Sequence, residues 1–415
     1  MAASISMSRK LIVSIAVIFA LAYSISYGTL HIYRQMTHVS LDSLVNCFKE
    51  TLNPSFTSTC LHATVRTLLT EYTTREIQKF TAATSSLEIV QHNCHAIGHI
   101  IGDETYKEAA SLEHALSLCS YTCGASCTHG VLGAGVLAEM GTTYEDIDIA
   151  HTDISTIKKI GAQYCDRSIP LCHGVGHILY ILKSDEPIAF DICARISVGF
   201  AREACYQGIF MERAGENQSL NPFPATTTYA IRENDYTFPC LSIAPTYRHA
   251  CFQFLSQYQD ILFKKNGVVT VGMKLAKAIE VCETLDKRDR SSCFEGIGIN
   301  AGQFVLNRSD AKEIWSLCDR MPTAVDRNSC TLGIIPRDFF LGGHGLSYCE
   351  SIIDTERKTI CYTAAFRWME NILTDEKIGE ECDKSGTRTC MKYLEEYRQI
   401  RSTLPNYQFG LYGPL

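Results

Sequence analysis

The sequence predicts an all-α fold: disulfide-tied helical hairpins, stacked as a solenoid or curled into an α/α toroid, behind one N-terminal transmembrane helix. Three observations carry this expectation. Cysteines recur in local pairs, the apolar residues around them follow a period nearer 3.6 than 2, and residues Leu11 to Leu30 contain no charge. The pairs Cys193/Cys205, Cys240/Cys251, Cys282/Cys293, Cys318/Cys330 and Cys349/Cys361 enclose ten or eleven residues each, and their starts are 31 to 47 residues apart. That is the period of stacked two-helix repeats.

The elements follow in order. Residues 1–10 carry Arg9 and Lys10 and read as a cytoplasmic N-terminus ahead of a twenty-residue apolar run, 11–30, long enough to span a bilayer. Ala20-Leu21-Ala22 resembles a signal-peptidase site, but the apolar run continues past it, which favours an uncleaved signal anchor. Either way the body lies outside the cytoplasm, in a periplasmic, extracellular or lumenal space; cleavage would make it secreted. Twenty cysteines in 415 residues agree with an oxidising compartment.

Residues 31–85 read as a helical linker region, with Cys47/Cys60 as an N-terminal cysteine pair. Residues 86–216 form a His/Cys-rich helical domain. Residues 217–239, with three prolines, read as a loop. Residues 240–415 are the Cys-paired helical repeats, ending on Cys382/Cys390. In each repeat the first cysteine closes an amphipathic stretch, a polar connector follows, and the second cysteine opens an apolar run. A glycine often lies three residues on, as in Cys205-Tyr206-Gln207-Gly208 and Cys293-Phe294-Glu295-Gly296. Recurrent glycines at 98, 130, 176, 208 and 296 imply close backbone approach, because glycine inside a helix otherwise costs about 0.5–1 kcal/mol. Cys165/Cys172 is a shorter link, and Cys94, Cys119, Cys123 and Cys127 leave their pairing open. Two disulfides that include Cys94 are favoured over a thiolate metal site.

Chemistry concentrates in a duplicated octapeptide. Cys94-His95-Ala96-Ile97-Gly98-His99-Ile100-Ile101 is echoed by Cys172-His173-Gly174-Val175-Gly176-His177-Ile178-Leu179. Histidines at i, i+4 put two imidazoles on one helix face, a metal-ligand spacing. The expected site is His95, His99, His173 and His177, with His129 as a fifth ligand or supporting donor. Asp103, four residues after His99, extends the same face. Zinc, iron and copper all accept imidazole. Glu212, one turn after Gly208, is the candidate general base for a metal-bound water. A polar residue also recurs two positions after the cysteine at His129, Gln207, Gln253 and Glu295, aimed at a shared lumen or a polar partner. His114, His151, His249 and His344 fall outside these motifs.

The net charge of −7 and pI near 6.0 argue against nucleic acid as a partner. No H-E-x-x-H, G-x-S-x-G, Walker or dinucleotide motif is present, and the absence of C-x-x-C-H argues against covalent haem. The motifs C-H-x-x-G-H, C-x-H-G-V and C-Y-x-G-I-F-M-E, at Cys94 to His99, Cys127 to Val131, Cys172 to His177 and Cys205 to Glu212, resemble those of a group of uncharacterised exported Cys/His-rich helical-repeat proteins. The resemblance spans roughly residues 90–215 and implies export and a helical-repeat fold, with no activity. The functional expectation is a membrane-anchored, metal-dependent hydrolase. Its alternatives are a helical-repeat scaffold for a peptide, glycan or protein partner, in which the histidines merely pack, and an iron or copper oxidoreductase.

Overall fold

The computed structural model describes residues 54–83, 88–120, 122–142, 169–182, 186–196, 199–215, 232–305, 311–340, 345–370, 373–384 and 388–403, with isolated positions at 43–47 and 155–165. The expected anchor at 11–30 lies outside the described residues, as does most of the 217–239 loop. Among the described residues no helix is long and apolar enough to cross a membrane.

Every regular element among the described residues is helical, and there is no strand. The N-terminal part holds α1 (Pro54–Leu69), α2 (Thr74–Ala83), α3 (Glu88–Glu108), α4 (Leu112–Leu118) and α5 (Thr122–Glu139). The central part holds α6 (Ile169–Leu182), α7 (Glu186–Ala194), α8 (Gly199–Gly215), α9 (Pro245–Lys265), α10 (Val271–Glu283) and α11 (Lys287–Ile299). The C-terminal part holds α12 (Ala311–Ser316), α13 (Ala324–Phe340), α14 (Leu346–Ser351), α15 (Thr355–Met369), α16 (Asp375–Lys384) and α17 (Arg388–Thr403).

Capping and cystine chemistry explains the hairpins. In α10–α11, Thr270 caps the first helix by accepting from the Met273 amide, Cys282 ends it, and Asp286 opens the second by accepting from the Arg288 and Asp289 amides. Cys282 and Cys293 then staple the turn. Asp354 caps α15 in the same way through the Arg357 amide. All ten cysteine pairs lie at disulfide distance. The eight local pairs are those expected from spacing. The remaining four cysteines resolve as Cys94–Cys123 and Cys119–Cys127, so the CxxxCxxxC stretch is closed as cystines and offers no thiolates.

The longer helices pack in succession: α3 on α5, α5 on α6, α6 on α8, α8 on α9, α9 on α11, α11 on α13, α13 on α15 and α15 on α17. In addition α5 touches α13, so the row bends back on itself. The short helices lie against their hairpin partners, as α7 does on α8 and α10 on α11. Fully buried Phe210, Phe252, Phe294 and Phe366 belong to one continuous apolar core running from Leu132 to Tyr397, while α1, α2 and α3 build a second around Leu61, Val65, Ile77 and Ile97.

Glycines set the approach of three helix pairs by one rule. A Cβ at Gly102 would lie 2.1 Å from the Cys127 carbonyl oxygen, and one at Gly130 would lie 2.0 Å from that of His99. The pairs Gly176/Cys205 with Gly208/His173, and Gly298/Cys330 with Gly333/Glu295, repeat this reciprocal contact. His99, His173 and Glu295 are therefore equivalent positions in these three helix pairs.

Candidate metal centre

Three helices bring the imidazoles together. The middle one, α5, packs between α3 and α6, and its entry is a left-handed turn: Cys123, Gly124 and Ala125 have φ of 54°, 76° and 57°. Two non-glycine residues in that region carry real backbone strain. The Cys94–Cys123 and Cys119–Cys127 bridges hold the turn against it. Its product is the Cys123 carbonyl, which accepts from His95 Nδ1 at 2.9 Å.

One nitrogen from each of His95, His99, His129 and His177 lies within 4.8 Å of the others. The six ring-centroid separations among these four residues run only from 4.7 to 5.6 Å. Four points with six nearly equal separations define a tetrahedron. A metal about 2.0–2.1 Å from one nitrogen per ring sits about 3.2 Å from each centroid, which places tetrahedral centroids about 5.2 Å apart. The rings thus stand at the separation a tetrahedral ion requires.

The hydrogen bonds aim the lone pairs at the centre. With His95 Nδ1–H given to Cys123, its Nε2 faces His99 Nε2 at 3.1 Å. His177 Nδ1 donates to Glu212 Oε2 at 2.7 Å, which leaves its buried Nε2 without a hydrogen-bond partner among the described residues. A carboxylate on the outer nitrogen of a ligand imidazole fixes its tautomer and raises its basicity. Burial holds the rings neutral: it lowers His95 to about 4, and with neighbouring imidazoles drives His99 and His177 well below the usual histidine range. His129 and His177 are buried, whereas His95 and His99 are of intermediate burial.

The structure departs from the expected ligand set at three residues. His129, expected as a fifth ligand or a supporting donor, is one of the four corners. His173 is displaced from them: its ring lies beside His129 and His177, and its Nε2 meets Met211 Sδ at 3.4 Å. Asp103 is turned away to a separate cluster, where its carboxylate pairs with Lys107 Nζ at 2.6 Å and lies 3.5 Å from His62 Nδ1. Each four-residue step along a helix advances 40°, so Asp103 sits about 80° around α3 from His95. Glu104 in the same cluster receives His62 at 2.9 Å and Arg66 at 2.9 Å. Glu212 touches the site, through the outer edge of His177.

The recurring polar position forms a buried ladder, apart from His129. Gln207 Nε2 donates to Gln253 Oε1 at 2.7 Å, and Gln253 Nε2 donates to Glu295 Oε1 at 3.0 Å. His249, which no motif singled out, ends the ladder between Glu203 at 2.6 Å and Glu295 at 3.1 Å. Burial alone would lower its pKa, but the two carboxylates outweigh it and raise His249 to about 10. Its place at i−4 from Gln253 was the available signal.

No protein-family model, curated protein or solved structure matches this chain.

Proposed function

We propose that the chain is an extracytoplasmic metal-binding protein that holds one tetrahedral transition-metal ion, zinc foremost, on His95, His99, His129 and His177. The observation that carries this reading is the near-regular tetrahedron of ring centroids, together with outer-nitrogen partners that turn the inner lone pairs of His95 and His177 inward. Four neutral imidazoles fill a tetrahedral zinc shell, as in closed sites. Hydrolysis would need a fifth position or the release of one ring. Glu212 is engaged with His177, which suits it to positioning that ring rather than to activating water.

Ten cystines support the oxidising compartment. The contact between α5 and α13 supports hairpins curling toward a toroid. The charge-free run at 11–30 supports a membrane tether.

The test uses the full-length chain produced under oxidising conditions and held in detergent. Elemental analysis is expected to find one metal per chain. His129→Ala should lose it and His173→Ala should keep it, with helical circular dichroism unchanged in both. Metal-free parent protein, or equal retention by both variants, would overturn the tetra-imidazole centre and leave the repeat scaffold as the better reading.

A further inference from the structure

His173 was displaced from the tetrad, and its new surroundings contain a conflict. Its imidazole hydrogen-bonds the Ala204 main-chain carbonyl, while its Nε2 lies 3.4 Å from Met211 Sδ. A carbonyl oxygen and a thioether sulfur are both acceptors, and neither carries a hydrogen. A neutral imidazole has a single N–H to give, so two acceptors compete for it. A cation bound between nitrogen and sulfur resolves it: the single N–H goes to the carbonyl, and the ion takes the lone pairs of Nε2 and Sδ.

The donor set says which cation. Thioether sulfur is a soft ligand that selects copper(I) and is a poor partner for zinc, magnesium or calcium. Copper(I) accepts low coordination numbers, and a monovalent ion is the cheaper charge to bury beside neutral ligands. The position is also apt. Met211 is partly exposed, and the His173 ring lies 5.2 Å from His129 and 4.8 Å from His177. An ion held there touches the edge of the tetra-imidazole centre.

We propose that His173 Nε2 and Met211 Sδ form a soft-cation site, suited to copper(I), adjoining the four-histidine centre. The site takes its setting from the proposed centre, but its chemistry depends only on the nitrogen–sulfur pair, so the two can fail separately. No bond or oxidation state changes on binding: the ion exchanges solvent or carrier ligands for imidazole and thioether.

Silver(I) serves as the redox-silent probe of copper(I). The full chain, with its nine methionines labelled at the methyl carbon, is loaded with zinc and titrated with silver(I). At one added equivalent a single methionine methyl resonance should shift. Met211→Leu, which keeps the volume and removes the sulfur, should abolish that shift and weaken silver(I) binding at least about tenfold, with zinc stoichiometry and circular dichroism unchanged. If no methyl moves in the parent, or the moving methyl survives Met211→Leu, the soft site is refuted. If zinc is never retained but the Met211 methyl still responds, the tetrahedral centre fails and the soft site stands.

Discussion

Gly130→Ala tests whether close helix approach builds the site. A Cβ there would meet the His99 carbonyl oxygen at 2.0 Å, its carbonyl carbon at 2.8 Å and the Asp103 nitrogen at 3.0 Å. All three are main-chain atoms, so no side chain can swing aside. Relieving the oxygen contact moves α3 and α5 apart by about 1.2 Å, in an interior packed too tightly to absorb it. Overpacking costs about 1–3 kcal/mol. Alanine returns about 0.5–1 kcal/mol of helix stability. With backbone as the obstruction the upper end applies, and the expected net loss is about 2 kcal/mol. Gly272→Ala is the control, because nothing lies within 4 Å of its added Cβ; that variant should gain up to about 1 kcal/mol. Denaturant unfolding of metal-free protein with intact disulfides measures both. Gly130→Ala should also lose bound metal, since the same displacement carries His129 away from His95 and His99. If Gly130→Ala unfolds at the parent's midpoint or tracks Gly272→Ala, the proposed role of the glycine contact is wrong.

Three further outcomes are expected. Glu212→Gln should weaken metal binding about 10–100-fold while leaving the apo unfolding midpoint nearly unmoved, as read by chelator competition; an unchanged affinity would remove Glu212 from the site. In acid, apo protein should lose stability as pH falls from about 6.5 toward 4 and 3. There the unfolded chain takes up protons that buried His95 (about 4) and His173 (about 3) refuse, at about 1.4 kcal/mol per pH unit for each ring. In alkali the sign reverses. His249, raised to about 10, keeps its proton when folded, so its contribution is complete below about 6.5 and is lost as pH rises to 10. His249→Leu should flatten that alkaline limb. It should also cost about 3 kcal/mol, because Glu203 and Glu295 lose their shared cation; a retained alkaline slope in that variant would reassign it to another group.

The repeat spacing made the hairpins legible, because two cysteines flanking one tight turn have only each other within reach. The same logic stops at Cys94, whose partner Cys123 lies 29 residues away and is brought there by a left-handed turn that no hydrophobic period announces. Three of the four residues of the imidazole cluster were legible. His95, His99 and His177 follow from i, i+4 spacing, yet the duplicated octapeptide ranked His173 with them and left His129 as a fifth ligand or supporting donor. The glycine contacts show why. Gly102, not Gly98, is the packing equivalent of Gly176, so the two copies are offset by one helical turn and do not present matching histidines. A solitary His129 has no such pattern, and only the position of α5 between α3 and α6 makes it a corner. His249 stayed hidden because its partners come from α8 and α11, remote in sequence.

The connectivity of the cystines has a consequence for how this chain matures. Eight of the ten bridges join neighbouring cysteines in order of emergence. An oxidase acting on the chain as it emerges would make them correctly at the first attempt. Cys94–Cys123 and Cys119–Cys127 interlace, so oxidation in strict order of emergence would pair Cys94 with Cys119 instead. Order of emergence therefore fails to specify the pairing at one place in the described chain, the segment that orients His95.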